Sequence, residues 1–490
     1  MMSEKEIKIE SPRVRFAPSP TGYMHMGSAR TALFNFLVAK KYKGTFLLRI
    51  EDTDSERSLP EYEADIFEQL RWLGLHPDEE SIRQSSRSDL YEGVIKQLLS
   101  ENKVFRCFCD KAELEEERQR QILEGKAPKY KGTCAHLTEN EIQQKIDAGL
   151  PSVIRLRVPP QKTSFQDLIR GEVKVDLDLV GDFVIAKSEH QPLFHLATPV
   201  DDHYQGITHI IRGEDHIPNT AKQMMIFKAM GWNVPVFAHL PLILGEGGGK
   251  MSKRHGSTSV REYRQAGYLP EALNNFLVLL GWHPKDDREI LSLDNLIAQF
   301  DIERVQKKGA VFNVSKLHFL NRHYMKQKSS DELLSLAALP DGMYEKEGKY
   351  IGKNGIQLTK QDLIKIIELG KERAHTIGEL FSSALFLWED FDYDAQLLLW
   401  KDYGAEKVRL ALQQTLAVFE QADDASCKNQ AIKLSLDDLS SDKGLVYWPL
   451  RVALSGLKQS PPPLDIVSIL GKEKSIERIK KAICKLSTKF

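Results

Sequence analysis

The sequence predicts an α/β protein: a doubly wound parallel sheet split by an α+β insertion and followed by an all-α C-terminal third. Three observations carry this. Short β-branched and aromatic runs at residues 13–17, 45–50, 207–212 and 237–244 alternate with helical apolar spacing at 28–42, 65–73 and 221–230. Between the two halves of that alternation, residues 105–199 hold the strand-like runs VIRLRV, KVDLDLV and DFVIAK, which read as an inserted segment. From about residue 325 the strand signals fade, and residues 362–369 and 406–419 space their apolar side chains as helices do.

The bulk properties narrow the class. A chain of 490 residues exceeds one ordinary core, so two or more domains are expected. No apolar stretch approaches the roughly eighteen residues of a membrane span, and MMSEKEIKIE lacks a signal-peptide core, so a cytoplasmic protein is expected. Five cysteines with no even framework of spacings argue against a disulfide scaffold and leave metal binding open. Lys and Arg total 68 against 69 Asp and Glu, so the whole-chain charge announces no nucleic-acid partner. Locally, residues 471–490 hold seven Lys or Arg against Glu473 and Glu477. That stripe reads equally as a phosphate-neutralising surface or as a solvated helix face.

The first strand leads into the first chemical motif. In RVRFAPSPTGYMHMGSAR the strand ends at Pro18, Pro20 and Gly22, and a helix with Ala29, Leu33, Phe36 and Leu37 on its apolar face begins beside His25. Gly27 lets backbone approach a ligand, and a helix N-terminus favours a phosphate, so this is a nucleotide site in outline. The last strand of the alternation runs into GEGGGKMSKRHGS. Only three residues separate Gly245 from Gly249, so the G-x-x-x-x-G-K-S/T phosphate loop is not met. A glycine hinge before mobile Lys250, Ser252 and Lys253 fits better, although the loop in isolation reads as an exposed turn. Arg15 and Arg212 lie at strand ends, where planar guanidinium groups suit a carboxylate ligand in a way Lys cannot. With Glu51 they could equally form structural ion pairs. Within the insertion, Cys107-x-Cys109 and Cys134-x-His136 are two close ligand pairs that can close a structural Cys₃His zinc site.

The motifs together carry a family resemblance. His25-Met26-Gly27-Ser28 resembles the "HIGH" signature of class I aminoacyl-tRNA synthetases, and the PSPTGxxHxGxART frame around it resembles the glutamate and glutamine branch. Lys250-Met251-Ser252-Lys253-Arg254 is similar to the partner KMSKS loop, and the two signatures stand in the family's order, roughly two hundred residues apart. RIEDTD, DDHYQGITHIIRGEDH, GYLPEALNNFLVLLGW and SPPPLDIVSILGKEKSIERI extend the resemblance over nearly the whole chain.

The resemblance is to bacterial-type glutamyl-tRNA synthetases. It implies a Rossmann-type catalytic domain in two halves, residues 1–104 and 200–245, around an acceptor-binding insertion at 105–199 that carries a zinc knuckle. A KMSKS loop and stem-contact region would occupy 246–324, and a helical anticodon-binding region 325–490, where glutaminyl enzymes carry β-barrels. His25, Gly27, Ser28, Lys250, Ser252 and Lys253 would bind ATP with its Mg²⁺, with His25 and Lys253 catalytic and Lys253 neutralising pyrophosphate. Ser28 replaces the second His of the generic signature. Arg15 and Arg212 would hold the glutamate side-chain carboxylate and Glu51 its α-ammonium group, with Ala17 and Ser19 beside them. Phe194 and Thr198 stand where these enzymes usually place a tyrosine and an asparagine. Losing one hydrogen bond to a charged ligand costs about 1.5–3 kcal/mol unless another group compensates. The implied partners are tRNA(Glu), glutamate and ATP, with a monomer as the family expectation. A glutaminyl enzyme is disfavoured by the helical C-terminal third, a short base-modifying paralogue by chain length, and a non-activating tRNA-binding paralogue by the intact His25, Lys253, Arg15 and Glu51.

Overall fold

The computed structural model describes residues 9–249, 259–428 and 430–489. The chain forms two compact units, one running to Arg264 and taking in Pro270–Leu317, the other comprising Gln265–Leu269 and the chain from His318 onward.

The first unit opens with β1 (Arg13–Phe16), α1 (Met26–Lys41), β2 (Thr45–Ile50), α2 (Pro60–Trp72), β3 (Ile82–Arg83) and α3 (Ser88–Ser100). β1 pairs in parallel with β2, and β2 with β3. Val14, Phe16, Phe46, Leu47, Leu48 and Ile50 are all buried, as expected of strands covered on both faces. The helix lies where its apolar spacing places it, with Ala29, Leu33, Phe36 and Leu37 buried.

The chain then enters the insertion: β4 (Val104–Cys107), α4 (Lys111–Leu123), α5 (Glu139–Asp147), β5 (Val153–Leu156), β6 (Lys162–Asp167), β7 (Gly171–Asp176), the single turn α6 (Leu177–Val180), β8 (Phe183–Ser188) and β9 (Gln191–Pro192). It returns through α7 (Phe194–Tyr204), β10 (His209–Gly213), α8 (Ile217–Ala229) and β11 (Val236–Leu240). Strands β4, β5, β8 and β9 form an antiparallel sheet, and β6 and β7 a hairpin. β10 pairs in parallel with β11, and the Thr208 N–H donates to the Arg13 carbonyl at 3.0 Å, which sets β10 beside β1. The order β3-β2-β1-β10-β11 therefore reverses between β1 and β10, the point at which doubly wound sheets bind ligands.

The insertion is not a free-standing lobe. β6 pairs in parallel with β11 through Asp167 and Phe237, so the hairpin extends the central sheet. One apolar cluster runs through both, joining Leu47, Val94, Ile154, Phe165, Leu196, Ile210 and Phe237. The expected end of the insertion at residue 199 falls inside α7.

Two local differences from expectation have simple causes. The run at 237–244 breaks at Pro241, which has no N–H for the ladder; a two-residue strand, Ile243–Leu244, then pairs with Ala310–Val311. In the C-terminal third, expected to be all-α, Tyr344–Lys346, Lys349–Ile351 and Gln357–Leu358 form a small antiparallel sheet. Its first turn places Glu347 and Gly348 at φ 53° and 76°, the backbone that a two-residue hairpin demands. The rest of the second unit is helical as expected, notably Lys360–Lys371, Ala405–Gln421, Lys443–Ser455 and Pro463–Lys489, the last kinked at Gly471. The basic stripe of that last helix is largely engaged. Arg478 is buried and donates to the Leu454 and Phe386 carbonyls, Lys472 bonds to the Glu420 and Ala422 carbonyls, and Lys474, Lys480, Lys481 and Lys485 pair with acidic side chains.

Buried carboxylates on α7 tie the two halves of the central sheet together. Asp202 accepts from Arg15 Nε of β1 at 2.9 Å and from Arg49 Nη1 of β2 at 2.8 Å. Asp201 accepts from Arg87 Nε and the Tyr91 hydroxyl, both at 2.7 Å, and from Gln84 Nε2 at 2.8 Å. Burial alone would raise the Asp202 carboxyl, but Arg15 and Arg49 outweigh it and hold it below its ordinary value. The stabilisation is therefore present near neutrality and lost as pH falls through that depressed value. Asp202→Asn takes the paired carboxylate from buried Arg15 and one of the carboxylates around Arg49, which keeps Glu51, and is expected to cost about 3–5 kcal/mol. Urea denaturation reads this directly, and an unchanged midpoint would contradict it.

Candidate active site

A cavity of about 690 Å³ opens at the C-terminal ends of β1 and β10, at the reversal of strand order. Arg15, Ala17, Ser19, His25, Gly27, Ser28, Glu51, Phe194, Thr198 and Arg212 all line it. The fold thus gathers around one space ten residues drawn from three widely separated stretches of sequence. Lys250, Ser252 and Lys253 lie outside the described residues.

One end of the cavity is the start of α1. His25 is its N-cap, and its Nδ1 accepts the Ser28 N–H at 3.1 Å, satisfying one of the donors left free at a helix start. A Cβ at Gly27 would lie 3.0 Å from the His25 ring, so the glycine is what lets the imidazole lie over the first turn. The loop before it is pinned by the Met24 N–H, which donates to Asp65 Oδ2 at 2.8 Å. No acidic side chain occupies the first turn of α1, so none offsets the positive end of the helix there.

The other end is charged. Arg15 is bidentate with Asp202, its Nη2 donating to Oδ2 at 3.3 Å besides the Nε contact. Glu51 Oε1 accepts from Arg49 Nη2 and from the Thr198 hydroxyl, each at 3.0 Å. Phe194 forms an apolar wall, its ring against those of His195 and His216. Burial, and then Arg212, push the His216 imidazole down to about 4, so it stands uncharged at neutral pH.

Arg212 differs from Arg15. It is buried and donates to Gln223 Oε1 and Thr220 Oγ1, both at 2.7 Å, and to His239 Nε2 at 3.4 Å, all neutral acceptors. Among the described residues no carboxylate forms a salt bridge with it. Burial, and then Arg15, lower its pKa to about 9, which leaves it a cation at neutral pH. The structural ion-pair reading thus describes Arg15 and Glu51, the latter through Arg49, but not Arg212. Sequence reasoning missed Arg49, Asp202, Thr220, Gln223 and His239. The one local signal was the adjacent acid pair Asp201-Asp202 at the end of an otherwise apolar helix, which has to be paired if buried.

A second constellation lies in the insertion. The sulfurs of Cys107, Cys109 and Cys134 lie within 4.8 Å of one another, with Cys109 and Cys134 at 3.6 Å. His136, the expected fourth ligand, does not join them. Cys134 and Ala135 turn inward on a bend closed by the Ala135 N–H donating to the Gly132 carbonyl at 2.8 Å, and His136, two residues on, is exposed. The Tyr130 hydroxyl faces the sulfurs instead, 3.5 Å from both Cys107 and Cys109, and accepts the Cys134 N–H at 2.8 Å. Three converging thiols are a soft donor set that suits zinc.

Comparison with known proteins agrees with this geometry. Residues 12–319 match the family described as tRNA synthetases class I (E and Q), catalytic domain, and residues 342–483 match an anticodon binding domain. A glutamate–tRNA ligase 2 of Thermoanaerobacter pseudethanolicus is 41% identical over 96% of this chain and 98% of its own length. The glutamate–tRNA ligase of Aquifex aeolicus is 40% identical over 97% and 99%. Among solved structures, a glutamate tRNA ligase from Elizabethkingia meningosepticum in complex with its amino acid superposes with a TM-score of 0.83 at 34% identity, over 97% of this chain and all of that one. With a class I catalytic-domain match over residues 12–319 and relatives 40–41% identical over nearly their full length, the chain belongs to the glutamate–tRNA ligase family of class I aminoacyl-tRNA synthetases.

Proposed function

We propose that this chain ligates L-glutamate to the 3′ end of tRNA(Glu) through a glutamyl-adenylate, releasing pyrophosphate and then AMP. The observation that carries the reading is Arg212, a buried cation hydrogen-bonded, among the described residues, only to neutral groups, in the same cavity as the start of α1. Glutamate's side-chain carboxylate supplies the missing anion. Glutamine would leave the guanidinium without a counter-charge, and a buried group left unpaired discriminates far more strongly than a difference in size. Glu51, held by Arg49 and Thr198, takes the α-ammonium group. Thr198 thereby has a task in this chain even though it lacks the reach of an asparagine.

The chemistry needs no protein nucleophile. An α-carboxylate oxygen of glutamate forms a bond to the α-phosphorus of ATP as the bond to the pyrophosphate oxygen breaks. A terminal hydroxyl of the tRNA then attacks the acyl carbon and AMP leaves. The protein orients the substrates and stabilises charge on the phosphoryl oxygens. His25 and the first turn of α1 receive the phosphates, Mg²⁺ accompanies ATP, and Lys253 meets the departing pyrophosphate. In the insertion, Cys107, Cys109 and Cys134 would supply three of the four ligands of one structural zinc, which would fix a segment with only a small core. The enzyme acts as a monomer in the cytoplasm.

Aminoacylation of purified glutamate and glutamine tRNAs, each offered labelled glutamate and labelled glutamine, tests the assignment. Glutamate should appear on tRNA(Glu); charging with glutamine would overturn the reading of Arg212. Lys253→Ala should lower the activation rate at saturating ATP by on the order of a hundredfold, because its charge acts while pyrophosphate departs. A raised ATP KM with normal turnover would assign it a ground-state role instead. Elemental analysis of protein purified without added metal should find one zinc per chain, retained in His136→Ala and lost in Cys134→Ser. Absence of zinc from the unaltered chain would remove the site.

A further inference from the structure

Arg212 is held in place from outside its own strand. His239 on β11 and Asp167 at the end of β6 have fully buried side chains, with His239 Nδ1 2.6 Å from Asp167 Oδ2. Asp167 also accepts the His239 backbone N–H at 3.0 Å and the N–H groups of Ile169 and Arg170 at 2.9 and 2.8 Å. An ionised carboxylate can only accept, so Nδ1 carries the proton and Nε2 presents its lone pair. That lone pair faces Thr220 Oγ1 at 3.0 Å and Arg212 Nε at 3.4 Å. With Gln223 and Thr220 on the other two nitrogens, each nitrogen of the Arg212 guanidinium meets one acceptor, and three of its five N–H groups are used. The same hairpin grips the cavity wall a second time. Arg170 Nη2 pairs with Glu214 Oε2 at 2.6 Å, and Glu214 Oε1 accepts the N–H of the cavity residue Leu242 at 2.7 Å.

We infer that Asp167 and His239 are positioning residues for glutamate recognition: Asp167 selects the His239 tautomer that offers Arg212 an acceptor, and so links the substrate arginine to the insertion hairpin. The second imidazole nitrogen thus backs Arg212 in two ways, through Thr220 Oγ1 at 3.0 Å, which accepts from Arg212 Nη2, and directly at 3.4 Å. The direction of the tautomer matters because the alternative places an N–H against a guanidinium N–H. Neither residue lines the cavity. Their effect is to fix the plane of Arg212, as preorganised sites require of the groups behind a ligand contact.

The inference rests on the assignment of Arg212 to the glutamate side chain, and its test separates the two. Glutamate KM, ATP KM and kcat are measured with full-length enzyme and tRNA(Glu) for Asp167→Asn, His239→Gln, His239→Met and Arg212→Lys. Asp167→Asn keeps the shape of the side chain, but its amide can donate to Nδ1 and turn Nε2 into a donor. It should raise glutamate KM by about tenfold or more while ATP KM stays within about twofold. His239→Gln, whose amide oxygen can accept from Arg212, should stay within about threefold of the unaltered enzyme, and His239→Met, which offers no such acceptor, should behave like Asp167→Asn. Should Asp167→Asn fail to fold, the Gln and Met pair decides alone. Glutamate and ATP KM rising together, or equal values for the Gln and Met variants, would overturn the inference. An unchanged glutamate KM in Arg212→Lys would instead overturn the assignment of Arg212 itself.

Discussion

Asp202 serves two arginines at once, and much of the architecture depends on that sharing. Arg15 on β1 and Arg49 on β2 are buried side by side, and in an interior of low polarity two unpaired guanidinium groups could not stay there. Glu51 beside β2 pairs with Arg49, and the carboxylate that bridges Arg49 and Arg15 comes from α7, which follows the whole insertion in sequence. Charge balance therefore brings the chain back to the strands it left, and places Phe194 and Thr198, on the same helix, along the cavity. It also divides the work between two arginines that look alike in sequence. Arg15 is paired with Asp202, whereas among the described residues no carboxylate forms a salt bridge with Arg212.

The insertion is bound into this arrangement through backbone as well as charge. By adding β6 to the exposed side of β11, the hairpin covers an edge that would otherwise present unpaired donors and acceptors. Asp167, at the residue where the two strands meet, closes the joint with three backbone N–H groups and the His239 ring. The insertion hairpin thus reaches the wall of the cavity by a chain of short polar contacts.

What was legible in the sequence was local. Strand and helix positions followed from the spacing of apolar residues, and α1 followed from the Pro/Gly loop before it. The cavity residues followed from motifs whose spacing matches a family. What was not legible was who faces whom. Arg15 and Asp202 are 187 residues apart, and nothing in either neighbourhood announces the pair. Cys134 and His136 look like a ligand pair when written in a line, yet the bend at Gly132 turns one inward and leaves the other in solvent. Arg478 reads as one more cation in a basic stripe, while in the fold its guanidinium is buried and spends its donors on two carbonyls. In each case the deciding fact is a tertiary contact that residue type and spacing leave open.

We propose Arg212, rather than Arg15, as the cation that the substrate completes. A crystal structure of the enzyme with bound glutamate tests it most directly. The account requires the side-chain carboxylate to lie at charge-assisted hydrogen-bond distance from Arg212, about 2.7–2.9 Å, with the Arg15–Asp202 pair intact. A side-chain carboxylate bound to an Arg15 released from Asp202, with Arg212 out of reach, would contradict it.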